Sequence, residues 1–241
     1  MMRNALVAVF ALSSAFSGLQ AQVGAETTIS VDFDAAEGAL SGDDQRFFRT
    51  TASEAAQLVR SHFPEFATAV RIRVLVGERD LGALGGVTGQ ADAPGEVMIA
   101  ISSTFPGGVA GAMRAGLRSV LLHEFHHLAR GWTIRENQFG PGIPTAAVNE
   151  GLAAVFADTY SGRLFEGYEY PEDVGDWLDE ILELPVDANY NTWMNQHPDG
   201  RMAVGYRVGR YVVHQAMERS GQDILELSRL PPGEILAMVA Q

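Results

Sequence analysis

Alternation and helical spacing divide the chain into two unlike halves. Ile29-Ser30-Val31-Asp32-Phe33 alternates apolar and polar like a short strand. Val70 to Val76 alternates, then turns continuously apolar before Gly77, and Val97 to Ile101 is a further apolar run, so two more strands are predicted there. Between them Gly82 to Gly95 is crowded with glycine and proline and reads as a loop. Helical spacing begins at Thr51 to Phe63, with Ser53 as the expected N-cap, Ala55, Ala56, Leu58 and Val59 on one face and Pro64 beyond the end. From Val109 to Arg130 the spacing of Met113, Leu117, Val120, Leu121 and Leu128 predicts a long helix, stopped by Gly131. Trp132 to Pro144 reads as loop, and Thr145 is the expected cap of a helix running through Tyr160 to Gly162. A short helix is expected around Val174 to Leu184 in the acidic stretch Tyr168 to Asp187. A longer one follows from Val204 to Ser220, and a last one from Gly233 after Pro231-Pro232. Strands early and helices late predict an α+β domain rather than alternating βαβ units.

The first residues stand outside that pattern. Arg3 precedes an apolar run from Ala5 to Phe16, interrupted at Ser13 and Ser14, and small residues follow at Ala21 and Ala25. This is the layout of a secretory signal peptide, residues 1–21, with Ala25 as the other cleavage point, and it is too short for a spanning helix. It leaves residues 22–241 as one domain, exported to a periplasm or the medium, with no cysteine for a lipid anchor and no later stretch apolar enough to cross a bilayer.

Composition then removes whole classes of chemistry. The 241 residues contain no cysteine, so disulfides, thiolate metal sites, iron–sulfur clusters and cysteine nucleophiles are excluded. All 17 basic residues are arginine, so no Schiff-base or P-loop lysine is present. With 30 acidic residues and a net charge of −13, the chain lacks the footprint of a nucleic-acid or anionic-membrane binder.

Chemistry concentrates in Leu121-Leu122-His123-Glu124-Phe125-His126-His127-Leu128. On a helix His123 and His127 lie about 40° apart in azimuth, so both imidazoles can reach one ion. Glu124, next to the first of them, leans toward the position where a water would be activated. Two histidine ligands and a glutamate base are the zinc-peptidase pattern. Glu124-Phe125-His126-His127 also fits half of a di-iron carboxylate site, but no second Glu is followed three residues later by His. A plain surface helix with incidental histidines is disfavoured by the apolar residues around them. His126 points about 100° from His127, which suits a structural hydrogen bond better than ligation.

A catalytic zinc takes three protein ligands and keeps one exchangeable position. Glu150 is the best third ligand. It lies in Asn149-Glu150-Gly151-Leu152-Ala153-Ala154-Val155-Phe156, where a lone carboxylate among apolar residues is costly unless bound, although a solvated glutamate at a helix start is the plainer alternative. Gly151 beside it admits another backbone at close range. Glu136, in the loop between, is the competing ligand, and His62, His197 and His214 are remote ones. Tyr206 is the candidate to stabilise an oxyanion, with Tyr211 and His214 as rivals.

His123-Glu124-x-x-His127 followed on the next helix by Glu150 resembles the gluzincin arrangement of thermolysin-like metallopeptidases. More closely, His-Glu-Phe-His-His, then Asn-Glu-Gly-Leu-Ala, then Gly205-Tyr206-Arg207-Val208-Gly209 resembles a bacterial group described as predicted zinc-dependent proteases, from about Val70 to Leu236. The resemblance implies a zincin-like fold with the active-site helix under a small sheet whose edge strand can hold extended substrate. It also implies His123, His127 and Glu150 as Zn2+ ligands and Glu124 as base. Thermolysin-like enzymes carry an Asp four residues after the ligand Glu; here Ala154 stands there, and Asp158 is the expected substitute support.

The function expected from the sequence is therefore an exported zinc metallopeptidase acting on peptide or protein, with Val97 to Ile101 as the edge strand that pairs with substrate. The rival expectation is a zincin-fold domain that binds a peptide or protein without turnover, which would have no use for Glu124 as a base.

Overall fold

The computed structural model describes residues 27–239 except 37, 165, 166 and 168, so the predicted signal segment lies outside the described residues. Four strands, β1 (Thr28–Asp32), β2 (Ala69–Gly77), β3 (Val87–Ala93) and β4 (Glu96–Ser102), form one sheet in the order β1-β2-β4-β3. β1 and β4 run parallel to β2, while β3 runs antiparallel to β4, giving a mixed sheet. The mainly helical second half completes the expected α+β architecture.

Two expectations change here. Gly82 to Gly95 is not a loop throughout, because Val87 to Ala93 pairs with β4 and Pro94-Gly95 makes the turn between them, with Gly95 at φ +74°. Val97 to Ile101 is consequently not an edge strand. β4 lies inside the sheet and β3 forms the edge. Strand formation in β3 follows from pairing rather than propensity, which its glycine and alanine content would not supply.

α1 (Gly42–His62) begins well before Ser53. Its cap is Ser41, whose hydroxyl accepts from Asp44 N at 3.2 Å while the Asp44 carboxylate accepts from Ser41 N at 3.1 Å, a reciprocal capping box. The polar first turns are exposed, and the buried face starts only at Phe48, which is why periodicity alone places the start too late.

The long helix runs as α2 (Gly108–Ala112), a π-helical turn (Met113–Leu117) and α3 (Arg118–Arg130), closed by Gly131 in the left-handed conformation. At Gly116 a Cβ would stand 2.8 Å from the Gly85 carbonyl oxygen, so the widened turn receives the loop before β3. α4 (Ile143–Ser161) starts two residues before the predicted Thr145, behind Gly142 at φ +118° and with Pro144 in its first turn. It is buried almost all round between α3 and α7 (Val204–Ser220). α5 (Val174–Leu182), α6 (Tyr190–Met194), α8 (Ile224–Leu227) and α9 (Pro232–Val239) complete the fold.

The α4–α7 crossing is unusually close. A Cβ on Gly151 would lie 2.2 Å from the carbonyl of Gly209, and one on Gly209 would lie 1.8 Å from the Ala147 carbonyl oxygen. Gly151 thus admits a neighbouring backbone, as its position beside Glu150 suggested, and that backbone is α7. Among the described residues no helix is long and apolar enough to cross a membrane.

Candidate metal centre

α3 presents His123 and His127 one turn apart, and α4 brings Glu150 against them. The Nε2 atoms of the two histidines are 3.0 Å apart, and Glu150 Oε2 is 3.1 Å from each. Ligands held 2.0–2.1 Å from a tetrahedral ion would be separated by about 3.3 Å, so this nearly equilateral triangle has the size and donor set of a zinc site. His127 and Glu150 are buried and His123 is half-buried. Burial pushes the Glu150 carboxyl up, but the charges and hydrogen bonds of His127 and His123 outweigh it and hold it well below the usual carboxylate range. Its other oxygen, Oε1, accepts from the Trp132 indole N–H at 3.3 Å, which fixes the plane of the carboxylate.

Glu124 stands beside the triangle and outside it. Its carboxylate accepts from the Ala91 backbone N–H of β3, and its stem lies against Gly89, where a Cβ would be 2.7 Å from Glu124 Cγ. Burial first, and then the nearby Glu150 and Asp92 charges, raise the Glu124 carboxyl to about 8, with His123 and the Ala91 amide acting in the opposite sense.

The remaining sequence candidates sort by place. Tyr206 lines the cavity, whereas His214 is bonded through Nδ1 to the Tyr170 hydroxyl at 3.1 Å and Tyr211 packs edge-on to Tyr170 at 5.5 Å. Glu136 stays exposed in its loop, His62 packs on Tyr160, and His197 pairs with Asp199 at 2.8 Å, so none of these joins the triangle. His126 bonds Ser228 through Nε2 at 2.8 Å, the structural role its direction suggested. Asp158 pairs with Arg210 at 2.7 Å and bonds neither His123 nor His127 among the described residues, so the support expected of it is not made; Trp132 holds Glu150 instead, and the buried Nδ1 of His127 has no hydrogen-bond partner there.

Sequence reasoning missed Trp132, Gly89, Ala91 and Tyr190. Tyr190 is hydrogen-bonded to Tyr206 at the cavity wall. Although Tyr190 is 47% exposed as a residue, desolvation around its hydroxyl, reinforced by Glu150, holds that hydroxyl above the usual phenol range, so it remains a proton donor. The Tyr190–Tyr206 pair is built by Gly205, against which Met194 packs so closely that a Cβ would be 2.0 Å from its sulfur. α6 is therefore pressed onto the start of α7. Only Asn189 hinted at it, as an N-cap whose side chain accepts from Thr192 N at 2.9 Å.

These groups line one cavity of about 730 Å3, walled by β3, α3, α4, the Trp132–Asn137 loop and the α6–α7 junction. A pocket with two histidines and a glutamate at one point, a buried carboxyl beside them and tyrosines on its wall can bind a divalent cation and move a proton next to it. No curated protein matches the chain, and no solved structure does. A family does match, over residues 48–237, a span that takes in the triangle, Glu124 and both tyrosines. The chain belongs to the family described as Predicted Zn-dependent protease (DUF2268).

Proposed function

We propose that this chain is an exported zinc-dependent peptidase in which His123, His127 and Glu150 hold the ion and Glu124 is the general base. The observation that carries this reading is the donor triangle with Glu124 next to it and not in it. Zn2+ held there supplies a Lewis acid that polarises the scissile carbonyl and makes water a nucleophile at neutral pH.

The chain's own residues do the rest. Glu124, oriented by the Ala91 amide, takes the proton of the attacking water and returns it to the leaving amine. Tyr206, bonded to Tyr190, lines the same cavity and donates to the oxyanion. Trp132 keeps Glu150 aimed at the ion. The outer edge of β3 supports an extended peptide by strand addition. Export rests on the Arg3 and Ala5 to Phe16 pattern.

The test is zinc content together with hydrolysis of a generic unfolded protein, for wild type and Glu124→Gln. Zinc in both and turnover in wild type alone is the expected result. Zinc-loaded wild type that cuts no protein or peptide would assign the chain to peptide binding without turnover.

A further inference from the structure

The cavity has two unlike ends, one on either side of the donor triangle. α3 and α4 run antiparallel past each other: Arg130 Nε donates to Asn149 Oδ1 at 3.1 Å, His127 reaches Glu150, and Asp158, farther along α4, feels the charge of His123. The first end, between the start of α3 and the end of α4, is lined by Ser119, Val120, Ala157 and Asp158. Arg79 belongs there too, because its carbonyl accepts from Ser102 Oγ at 2.5 Å beside the start of β3. The second end lies where α3 gives way to the Trp132–Asn137 loop and α4 begins. Its wall is Ile134, Pro141, Ile143, Ala146, Val186 and Ala188. Thr133 and Asn137 add polar groups to it, but among the described residues no charged side chain does, the centre itself apart.

That apolar wall reaches the surface. Of the seven large apolar side chains exposed among the described residues, three, Ile134, Val186 and Tyr190, line this one cavity, and Ile134 is 69% and Val186 63% exposed. Single exposed apolar residues are ordinary on a protein surface, whereas several gathered at the mouth of one cavity mark a place that is covered in use. The lip is also held in place. Ile134 N donates to Ala91 O at 3.0 Å, and its neighbour Arg135 forms an ion pair with Glu96. Val186 rests on Gly142, where a Cβ would be 3.9 Å from Val186 Cγ2. A lip fixed in this way needs little reordering when something binds.

From this we propose that the second end of the cleft holds a large apolar side chain of the substrate, on a residue flanking the scissile bond, and that Ile134 and Val186 set this specificity. The proposal rests on the peptidase reading for its chemistry. The apolar wall starts beside the reacting centre: Ala146 is one turn before Glu150, and Ile134 is tied to Ala91, whose amide holds Glu124. A leucine, isoleucine, methionine or phenylalanine side chain there exchanges water for apolar contacts. A charged side chain would lose its hydration without gaining a partner. Because such apolar residues are mostly buried in folded proteins, the segment cut is one that is unfolded or extended.

The experiment uses the zinc-loaded full chain and two peptides, one with a single central leucine in a background of serine and alanine, the other with serine in its place. Mass spectrometry should place the cut at a bond flanking the leucine, with kcat/KM at least ~10-fold above that of the serine peptide, the scale on which an apolar pocket discriminates. Ile134→Ser and Val186→Ser change exposed side chains and should keep zinc and fold. Each should lower the leucine-to-serine ratio at least ~3-fold. Met202→Ser, at another exposed apolar residue that does not line the cavity, should leave the ratio as it is. Cutting away from the leucine, equal rates for the two peptides, or an unchanged ratio in the Ile134→Ser/Val186→Ser double variant would overturn the proposal. Fluorescence anisotropy of both peptides with zinc-loaded Glu124→Gln separates the two readings. If nothing is cut but the leucine peptide binds at least ~10-fold more tightly, and Ile134→Ser reduces that preference, the peptidase reading falls and the apolar subsite stands. Equal binding of the two peptides would overturn the subsite.

Discussion

Gly89 of β3 is what allows Glu124 of α3 to lie against the sheet: a methyl group at Gly89 would come within 2.7 Å of Glu124 Cγ and 2.8 Å of Oε1. No real Cβ tolerates such contacts, so the residue at this strand position decides where the carboxylate stands. Gly89→Ala should leave zinc content unchanged, because the donor triangle is not touched, and should lower kcat by about 10-fold or more by displacing the base. Parallel metal analysis and peptide kinetics check it; unchanged kcat would separate Glu124 from the reaction.

Replacing the base itself has a larger effect. Glu124→Gln keeps the size of the side chain and an oxygen that can accept the Ala91 amide. Zinc and folding should persist while turnover falls by roughly two to four orders of magnitude, the scale of a positioned general base. Full activity in a zinc-loaded variant would refute the mechanism.

The purified protein should carry about one zinc per chain, the number a single three-donor site holds. Glu150→Ala should lose it, and Glu136→Ala should not, since Glu136 is exposed and outside the triangle. Elemental analysis of the two variants decides; the reverse order would transfer the ligand role to the loop.

Trp132→Phe keeps the ring and removes the N–H that reaches Glu150 at 3.3 Å. Loss of such an outer hydrogen bond typically weakens metal binding by about 10- to 100-fold. Competition with a chelator of known affinity measures this directly, and an unchanged affinity would leave Trp132 with packing alone.

Gly209→Ala tests the helix crossing. The added methyl would meet the Ala147 carbonyl oxygen at 1.8 Å, so α7 must move away from α4. Overpacking of this kind costs about 1–3 kcal/mol, or roughly 2–12 °C in Tm for a domain of this size. Calorimetry showing no loss would mean that the two helices are free to slide.

What was legible in the sequence was what is local. His123 and His127 lie one turn apart on a single helix, and Glu150 is conspicuous because an apolar helix makes a lone carboxylate expensive. The contributions of β3 and Trp132 are tertiary. Val87 to Ala93 becomes a strand through its pairing with β4, and its Gly89 reflects the nearness of Glu124, so the same residues read as a loop when taken alone. Trp132 follows the Gly131 cap of α3, and nothing in its neighbours announces that the loop turns back onto Glu150. Tyr190 belongs to a helix of five residues, too short for any periodicity to reveal. Ser41 was hidden by polar first turns that look like loop until the capping box is seen.

The donor triangle takes two corners from α3, which packs on β3, and one from α4, which is joined to α7. An ion at that place is therefore a rivet between the sheet-bearing half of the molecule and its helical half. Its free energy of binding becomes cohesion of the whole, and stability becomes a function of the free metal concentration. At one hundred times the dissociation constant the folded state gains about 2.7 kcal/mol, provided the unfolded chain does not bind the ion. Titrating zinc against Tm would trace that gain.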